Sequence, residues 1–232
     1  MLDQSFEALK TFDWGTDRMV LSAIDNAVVK THGDAAAQKE LETRLAAVLK
    51  TSASRDAKDY VCRKLMIIGT AESVPTLAAL LPEKDHSHMA RFALERIPAP
   101  EAAQALRDAL PKVSSELKVG MISSLGARQD SASVPALAAL VGEADAAVAT
   151  AAALALGSIR SADAAKALAA GKPSGEGVKL AVTDASLACA ESLLAAGQKA
   201  EALAIYKGLI GESLPKHVRL AATRGMLTCA GK

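Results

Sequence analysis

An internal repeat is the feature that most constrains the fold of this chain. The segment Ser73–Leu80, Ser-Val-Pro-Thr-Leu-Ala-Ala-Leu, recurs with one change as residues 133–140, sixty positions later. Two sets of leucines follow a period close to half that distance. The first set is Leu45, Leu77, Leu106, Leu137, Leu168 and Leu203, and the second is Leu65, Leu94, Leu125, Leu156 and Leu187. Repeats of this length indicate an array in which each unit packs against its neighbours.

Each period contains two segments of helical length separated by turn signals, so the repeating unit is predicted to be an antiparallel helix pair. Alanine accounts for 51 of the 232 residues and aromatic residues for 3%. Alanine has the highest helix propensity, and its small side chain lets neighbouring helices approach closely. Strands instead favour β-branched and aromatic residues. We therefore predict an all-α fold, a right-handed α-solenoid of about seven antiparallel helix pairs. The predicted pairs are 3–11 with 16–31, 35–50 with 54–69, 72–81 with 86–97, 100–111 with 115–127, 132–142 with 145–159, 162–171 with 175–196, and 199–210 with 215–230.

Proline, glycine and short polar residues mark the predicted helix ends. Pro75 and Pro135 fall in a first turn, where the missing N–H costs nothing. Four residues stand where N-cap oxygens are needed: Asp85, Ser114, Asp145 and Ser161. Four glycines follow the last apolar position of a helix and are predicted to be C-caps: Gly69, Gly126, Gly157 and Gly197.

The second helix of a pair carries a recurring motif. Val148-Ala149-x-x-Ala152-Ala153-x-Ala155-Leu156-Gly157 returns in shorter form from Val218 to Ala222 and, with larger residues, from Met89 to Leu94. This motif resembles the HEAT-like repeats of the phycobilin-lyase type over residues 35–232, with the best copies at 72–159. It also resembles the HEAT segments of large bacterial multidomain proteins, some of which carry a sugar-hydrolase-like jelly-roll domain. The resemblance implies a fold more than a function, because the defining residues pack.

Residues 1–232 are predicted to form a single repeat domain. It would comprise an N-terminal capping pair at 1–34, core repeats at 35–197 and a C-terminal pair at 198–232. The N-terminus lacks the features of a signal peptide and no apolar run is long enough for a membrane helix. We expect a soluble chain, cytoplasmic or exported as part of a longer parent, and the ending at residues 229–232 suggests an excerpt.

Charge and cysteine content argue against several functional classes. The net charge is +1, with 27 basic and 26 acidic residues, so the strongly basic face of a nucleic-acid-binding protein is not expected. Cys62, Cys189 and Cys229 are far apart and odd in number, and they lie on or beside apolar helical faces. Buried thiols are therefore predicted, rather than a disulfide framework or a reactive nucleophile.

No catalytic, metal or cofactor site is predicted. In Asp85-His86-Ser87-His88 the two histidines would point about 200° apart on a helix, so a shared metal ion is not expected and His86 is predicted to be a polar surface residue. The glycine-rich segment at 171–177 lacks the spacing and the preceding strand of a phosphate loop. It is predicted to be a linker within the sixth pair.

Trp14 is the one tryptophan and falls in the turn between the first two helices, near Phe6 and Phe12. We expect it to contribute to a hydrophobic cap over the end of the array, because terminal repeats have no further neighbour. A stacking platform for a base or a sugar is the alternative.

A candidate partner-binding face follows from helical rotation. In HEAT-like stacks the second helices line the concave surface, so the resemblance makes positions opposite the leucine anchors the candidates. They are Asp59, Arg63, His88, Phe92, Ser123, Thr150, Leu154 and Arg224, and the same rotation adds Val119, Ala181, Ala185 and Leu220. Phe92 and Leu154 stand out as large apolar residues on a face without a core. The alternative is that tight stacking alone explains the small residues and buries the large ones.

We therefore predict a non-catalytic protein-interaction scaffold or spacer module from a larger bacterial protein. Its partner would be a protein or peptide, with no nucleic acid and no membrane, and the oligomeric state is left open. The resemblance also supplies an enzyme alternative, a bilin-lyase-like or DNA-glycosylase-like repeat protein. A lyase would pair with a second repeat subunit and bind a tetrapyrrole.

Overall fold

The computed structural model describes residues 1–231, which contain fourteen α-helices and no strand. Their bounds are α1 (Leu2–Lys10), α2 (Ser22–Lys30), α3 (Ala35–Leu49), α4 (Arg55–Ile68), α5 (Val74–Ala79), α6 (Lys84–Arg96), α7 (Pro100–Ala109), α8 (Ser115–Ala127), α9 (Val134–Leu140), α10 (Ala146–Ile159), α11 (Ala162–Ala170), α12 (Glu176–Ala195), α13 (Lys199–Gly208) and α14 (Lys216–Cys229). None of these helices is both long enough and apolar enough to span a membrane.

The helices form two compact units, unit 1 at Met1–Met121 and unit 2 at Ile122–Lys232. In unit 1, α1 packs against α2, α3 against α4 and α5 against α6, and α4 also packs against α6. In unit 2, α9 packs against α10, α11 against α12 and α13 against α14, and the second helices α10, α12 and α14 contact in succession. Stacked helix pairs of this kind confirm the predicted all-α solenoid class.

The leucine period explains the core of most pairs. All but two of the eleven anchor leucines are buried. The exceptions, Leu187 and Leu203, are only partly buried and belong to the last pairs. There the 20-residue helix α12 interrupts the regular period, and Leu187 packs beside a core cluster that includes the buried ring of Tyr206.

The predicted N-caps are confirmed in two cases. The Asp145 carboxylate accepts from Ala147 N at 2.9 Å, and Ser161 Oγ accepts from Ala164 N at 3.1 Å. Ser114 directly precedes α8, and its carbonyl accepts from Lys118 N. The prediction for Asp85 is wrong, because α6 already begins at Lys84.

Two of the predicted C-cap glycines have a different role. Gly126 and Gly157 lie inside α8 and α10, so they end neither helix. A Cβ atom at Gly126 would lie 2.8 Å from Ala155 Cα, and one at Gly157 would lie 2.8 Å from Ala185 Cα. These glycines therefore permit close approach of neighbouring second helices. Gly197 fits the predicted role, since it follows α12 with a φ of +79°.

Candidate functional site

Four of the predicted partner-binding residues come together in unit 1. Asp59 and Arg63 lie on α4, His88 and Phe92 lie on α6, and the two helices pack side by side. Together they line a shallow cavity of about 200 Å³ whose floor includes Cys62 and Met66. The helical period of the sequence thus identified a real cluster of surface side chains.

The side chains of this cluster are partly ordered by one another. Arg63 Nε is 3.0 Å from Asp59 Oδ2, one helical turn away. The rings of His88 and Phe92 stack with centroids 6.2 Å apart and planes 19° apart, and Arg91 Nη2 donates to His88 Nδ1 at 3.0 Å. Phe92 remains 40% exposed, so neighbouring helices do not bury it as tight stacking alone would.

Trp14 does not form the predicted cap. Its side chain is 92% exposed on the loop between α1 and the 3₁₀ turn Arg18–Leu21. The apolar end of unit 1 is instead filled from α1 and that turn, where Phe6, Leu9 and Leu21 are buried. The Trp14 backbone N–H donates to Asp13 Oδ1 at 2.9 Å, which fixes the turn while the indole faces solvent.

A groove of about 460 Å³ runs beside Trp14 and continues to the α4–α6 cluster. Its lining includes Phe12, Trp14, Arg18, Asp56, Asp59, Tyr60 and Arg63. Asp59 and Arg63 line both the groove and the shallow cavity, so the two are parts of one surface. We call Phe12, Trp14, His88 and Phe92, with Asp59 and Arg63 between them, the aromatic surface; Tyr60 also lines the groove but is a buried core residue. The helical period could not connect Trp14 with this surface, because Trp14 lies on a loop outside the repeats.

A partly buried hydrogen-bond network holds Tyr60 in place. The Tyr60 hydroxyl donates to Asp25 Oδ1 at 3.0 Å, and Lys64 Nζ lies 2.5 Å from the same oxygen. Burial, and then the bond to Asp25, raise the pKa of Tyr60 well above its usual value. Burial alone raises the pKa of Asp25, but the hydrogen bonds from Lys64 and Tyr60 outweigh it and leave that pKa lowered. The phenol therefore stays protonated at neutral pH and acts as a fixed donor.

In unit 2 the predicted residues are dispersed. Ser123, Leu154 and Arg224 are exposed on three different helices, and Thr150 is half-buried. Leu154 is accompanied by other exposed leucines on the second helices of this unit, namely Leu180, Leu220 and Leu227. The prediction that Ala181 and Ala185 belong to the exposed candidate face is wrong. Both are buried, because Gly157 lets α12 approach α10 closely at Ala185.

The histidine motif is placed on the first turn of α6. His86 is partly buried, with Nδ1 2.8 Å from Glu83 Oε2, whereas His88 is exposed and belongs to the aromatic surface. In the part of the chain that the structure describes, no three histidine, cysteine or acidic side chains form a metal-binding group. Residues 171–175 connect α11 to α12, so the predicted linker at 171–177 is confirmed for its first five residues, whereas Glu176 and Gly177 already belong to α12.

The three thiols differ in burial. Cys62 and Cys189 are buried and Cys229 is partly buried. Burial raises the pKa of the Cys62 thiol to about 12 and that of Cys189 to about 11. Both thiols therefore remain protonated and poorly nucleophilic at neutral pH.

We expect thiol titration at pH 8 to modify Cys229 in the folded chain and to leave the other two unmodified. All three should react after unfolding in guanidinium chloride, and the Cys229→Ser variant should then lose one equivalent. Rapid reaction of Cys62 or Cys189 in the folded chain would contradict the burial assigned to them. Absorbance of the released thiolate gives the number of thiols directly.

Comparison with known proteins bears on the repeat alone. No curated protein matches the chain. Residues 109–186, from the end of α7 into α12, match the family described as HEAT repeats. Together with the all-helical structure, this match supports a HEAT-like repeat family for the chain.

Proposed function

We propose that this chain is a non-catalytic protein-interaction scaffold whose principal contact site is the aromatic surface of unit 1. HEAT repeats commonly serve as protein-interaction scaffolds. The observation that carries the proposal is the exposure of Trp14 beside a groove, with Phe92 exposed on the same surface. A spacer module would have no need of an exposed tryptophan.

The composition of the aromatic surface suits a protein or peptide partner. Aromatic and arginine side chains often supply most of the binding energy of an interface, and surrounding polar groups exclude water. Here Trp14 and Phe92 provide apolar area that a partner can cover, and Arg63 provides a charged group between them. Tyr60 is buried beside the groove and held by Asp25, so it gives the groove a fixed wall before any partner binds.

The same contacts favour binding over catalysis. The Asp59 carboxylate is engaged by Arg63, and the Tyr60 hydroxyl is engaged as a donor to Asp25. A general base needs an available acceptor within reach of the proton that it removes. Neither group is arranged in that way, so we assign Asp59 to partner recognition and Tyr60 to support of the groove. The chain would act as one interaction module of a larger bacterial protein.

A selected peptide provides a direct test of this proposal. Peptides of twelve residues would be selected from a random library on the folded chain. Because Trp14 is the single tryptophan, its emission reports on this groove alone. We expect bound peptides to shift the emission to the blue, and Phe92→Ala to weaken their binding by at least about five-fold, or about 1 kcal/mol.

The matched control is Ile67→Ala, which removes an exposed apolar side chain of α4 outside the aromatic surface. It should leave peptide affinity unchanged. The proposal is wrong if the selected peptides bind Trp14→Ala and Phe92→Ala as tightly as the original chain. A loss of several kcal/mol of folding stability in Phe92→Ala would make Phe92 a core residue and would also contradict it.

A further inference from the structure

A second groove lies in unit 2 and has no part in the proposed function. It has a volume of about 580 Å³ and is lined by α11 and α13, with α12 as its floor. The floor includes Val182, Ser186 and Leu193. This volume falls within the range of ordinary binding sites in proteins.

The groove exists because two first helices of this unit are held apart. α9 packs directly against α11, but α11 and α13 each pack against α12. Helix α12 has 20 residues, whereas the equivalent helix α10 has 14. The chain therefore runs further before it returns as α13, which begins at Lys199 after the C-terminal end of α12. Between α11 and α13 there remains a channel bounded by helices.

Small residues form part of both walls of the channel. Ala165 and Ala169 lie on the α11 side, and Ala204 and Gly208 lie on the α13 side. A Cβ atom at Gly208 would meet no other atom within 4 Å, so this wall faces open space. Small residues let a helix backbone approach to the 8–10 Å separation typical of packed helices.

The two rims carry opposite charges. Lys166 on α11 is 3.1 Å from Asp163, but both side chains are 78% exposed, so the pair can exchange partners at little cost. Glu201 on α13 also lines the groove, and it forms no ion pair within residues 1–231. A ligand that covers the apolar floor of the groove therefore lies beside the Lys166 cation on one rim and the Glu201 anion on the other.

We propose that this groove binds an amphipathic α-helix of a partner protein. Apolar residues spaced i, i+3 or i+4, and i+7 would contact Val182, Ile205 and Leu214. Acidic residues on one flank would face Lys166, and basic residues on the other flank would face Glu201. In this mode of binding, the apolar residues of the bound helix supply the affinity and its charged residues fix its orientation in the groove.

Charge complementarity favours such a helix over the other occupants. A fatty acid has a single anionic end, which would leave Glu201 unmatched. The exposed face of α14 in a second copy carries Lys216, Leu220, Arg224 and Leu227, with basic groups only, so it would leave Lys166 unmatched. A partner helix with both signs of charge matches both rims.

The probe is a fluorescein-labelled, hydrocarbon-stapled 18-residue helix with a leucine stripe, glutamates on one flank and lysines on the other. Its anisotropy on titration with the whole chain gives the affinity. We expect Ala204→Arg, which fills the groove from an exposed wall position, to weaken binding at least ten-fold. Ala195→Arg, an exposed alanine of α12 outside the groove, should leave it unchanged. A peptide with glutamate on both flanks should bind about three- to five-fold more weakly, because one flank then meets Glu201.

Several results would overturn this inference. They are absence of binding by the mixed-flank peptide, equal loss in both arginine variants, or equal affinity of the two peptides. Dissociation of a dimer by Ala204→Arg in sedimentation would assign the groove to a second copy instead. Displacement of the peptide by a fatty acid at micromolar concentration would assign it to a lipid. Trp14→Ala should not alter the binding of this peptide, so the outcome is separate from that of the aromatic surface.

Discussion

Replacement of Leu156 by alanine is expected to lower the free energy of unfolding by about 2–5 kcal/mol. Leu156 is fully buried in α10, the second helix of the fifth pair. Its neighbours in the same helix include Ala152, Ala153 and Ala155, which are also buried. Small neighbours of this kind cannot rotate into the vacated space, so a cavity remains and its cost adds to the lost burial.

Leu154→Ala is the matched control, because Leu154 lies two residues away on the same helix and is 51% exposed. Its effect should stay within about 0.5 kcal/mol, as at other surface sites. Urea denaturation followed by circular dichroism would compare the two variants. An effect of Leu154→Ala as large as that of Leu156→Ala would show that the helical register is wrong.

The leucine period could predict the fold because the residues that repeat are the residues that pack. Leu94, Leu125 and Leu156 occupy equivalent core positions, and the turn signals between them are local in sequence. The predicted burial fails at Leu187, which keeps the leucine spacing but is only partly buried, because the longer α12 alters the geometry of the pair. Helix length in that pair depends on its tertiary partners, which local propensity does not report.

Glycine shows a second limit of sequence reasoning. Gly157 and Gly197 both follow an apolar helical position, yet Gly157 permits contact with Ala185 and Gly197 ends a helix. A glycine is compatible with either role, because it lacks a Cβ and also tolerates a positive φ. Only the position of the neighbouring helix decides between them.

The candidate site was likewise predictable from the sequence only in part. The helical period brings Asp59, Arg63, His88 and Phe92 to one surface, since α4 and α6 are equivalent helices of successive pairs. Trp14 reaches that surface from a loop that belongs to no repeat. The cap interpretation assigned its apolar area to the core, but Phe6 and Leu9 already fill that end.

The other large effect is expected at Glu42, a carboxylate that is 2% exposed on α3. It accepts from Thr70 N at 2.7 Å, from Thr70 Oγ1 at 2.9 Å and from Ser73 N at 3.1 Å. These donors lie in the connection between α4 and α5, and Ser73 is the N-cap of α5 without a side-chain cap bond of its own. Glu42 therefore satisfies the start of α5 from another helix pair.

Glu42→Ala should reduce the free energy of unfolding by about 3–5 kcal/mol. It leaves Thr70 N without its acceptor, at a cost of about 1–3 kcal/mol, and it removes the charged hydrogen bonds from Thr70 Oγ1 and Ser73 N, although Ser73 N keeps a second acceptor in the Thr70 carbonyl at 3.3 Å. Glu42→Gln should cost less, since an amide oxygen can still accept from Ser73 N. The control is Glu40→Ala, at an exposed position of the same helix, with an expected change within about 0.5 kcal/mol. The urea denaturation midpoints of the three variants test this prediction. If Glu42→Ala unfolds at the same midpoint as Glu40→Ala, the connection between α4 and α5 does not depend on this carboxylate.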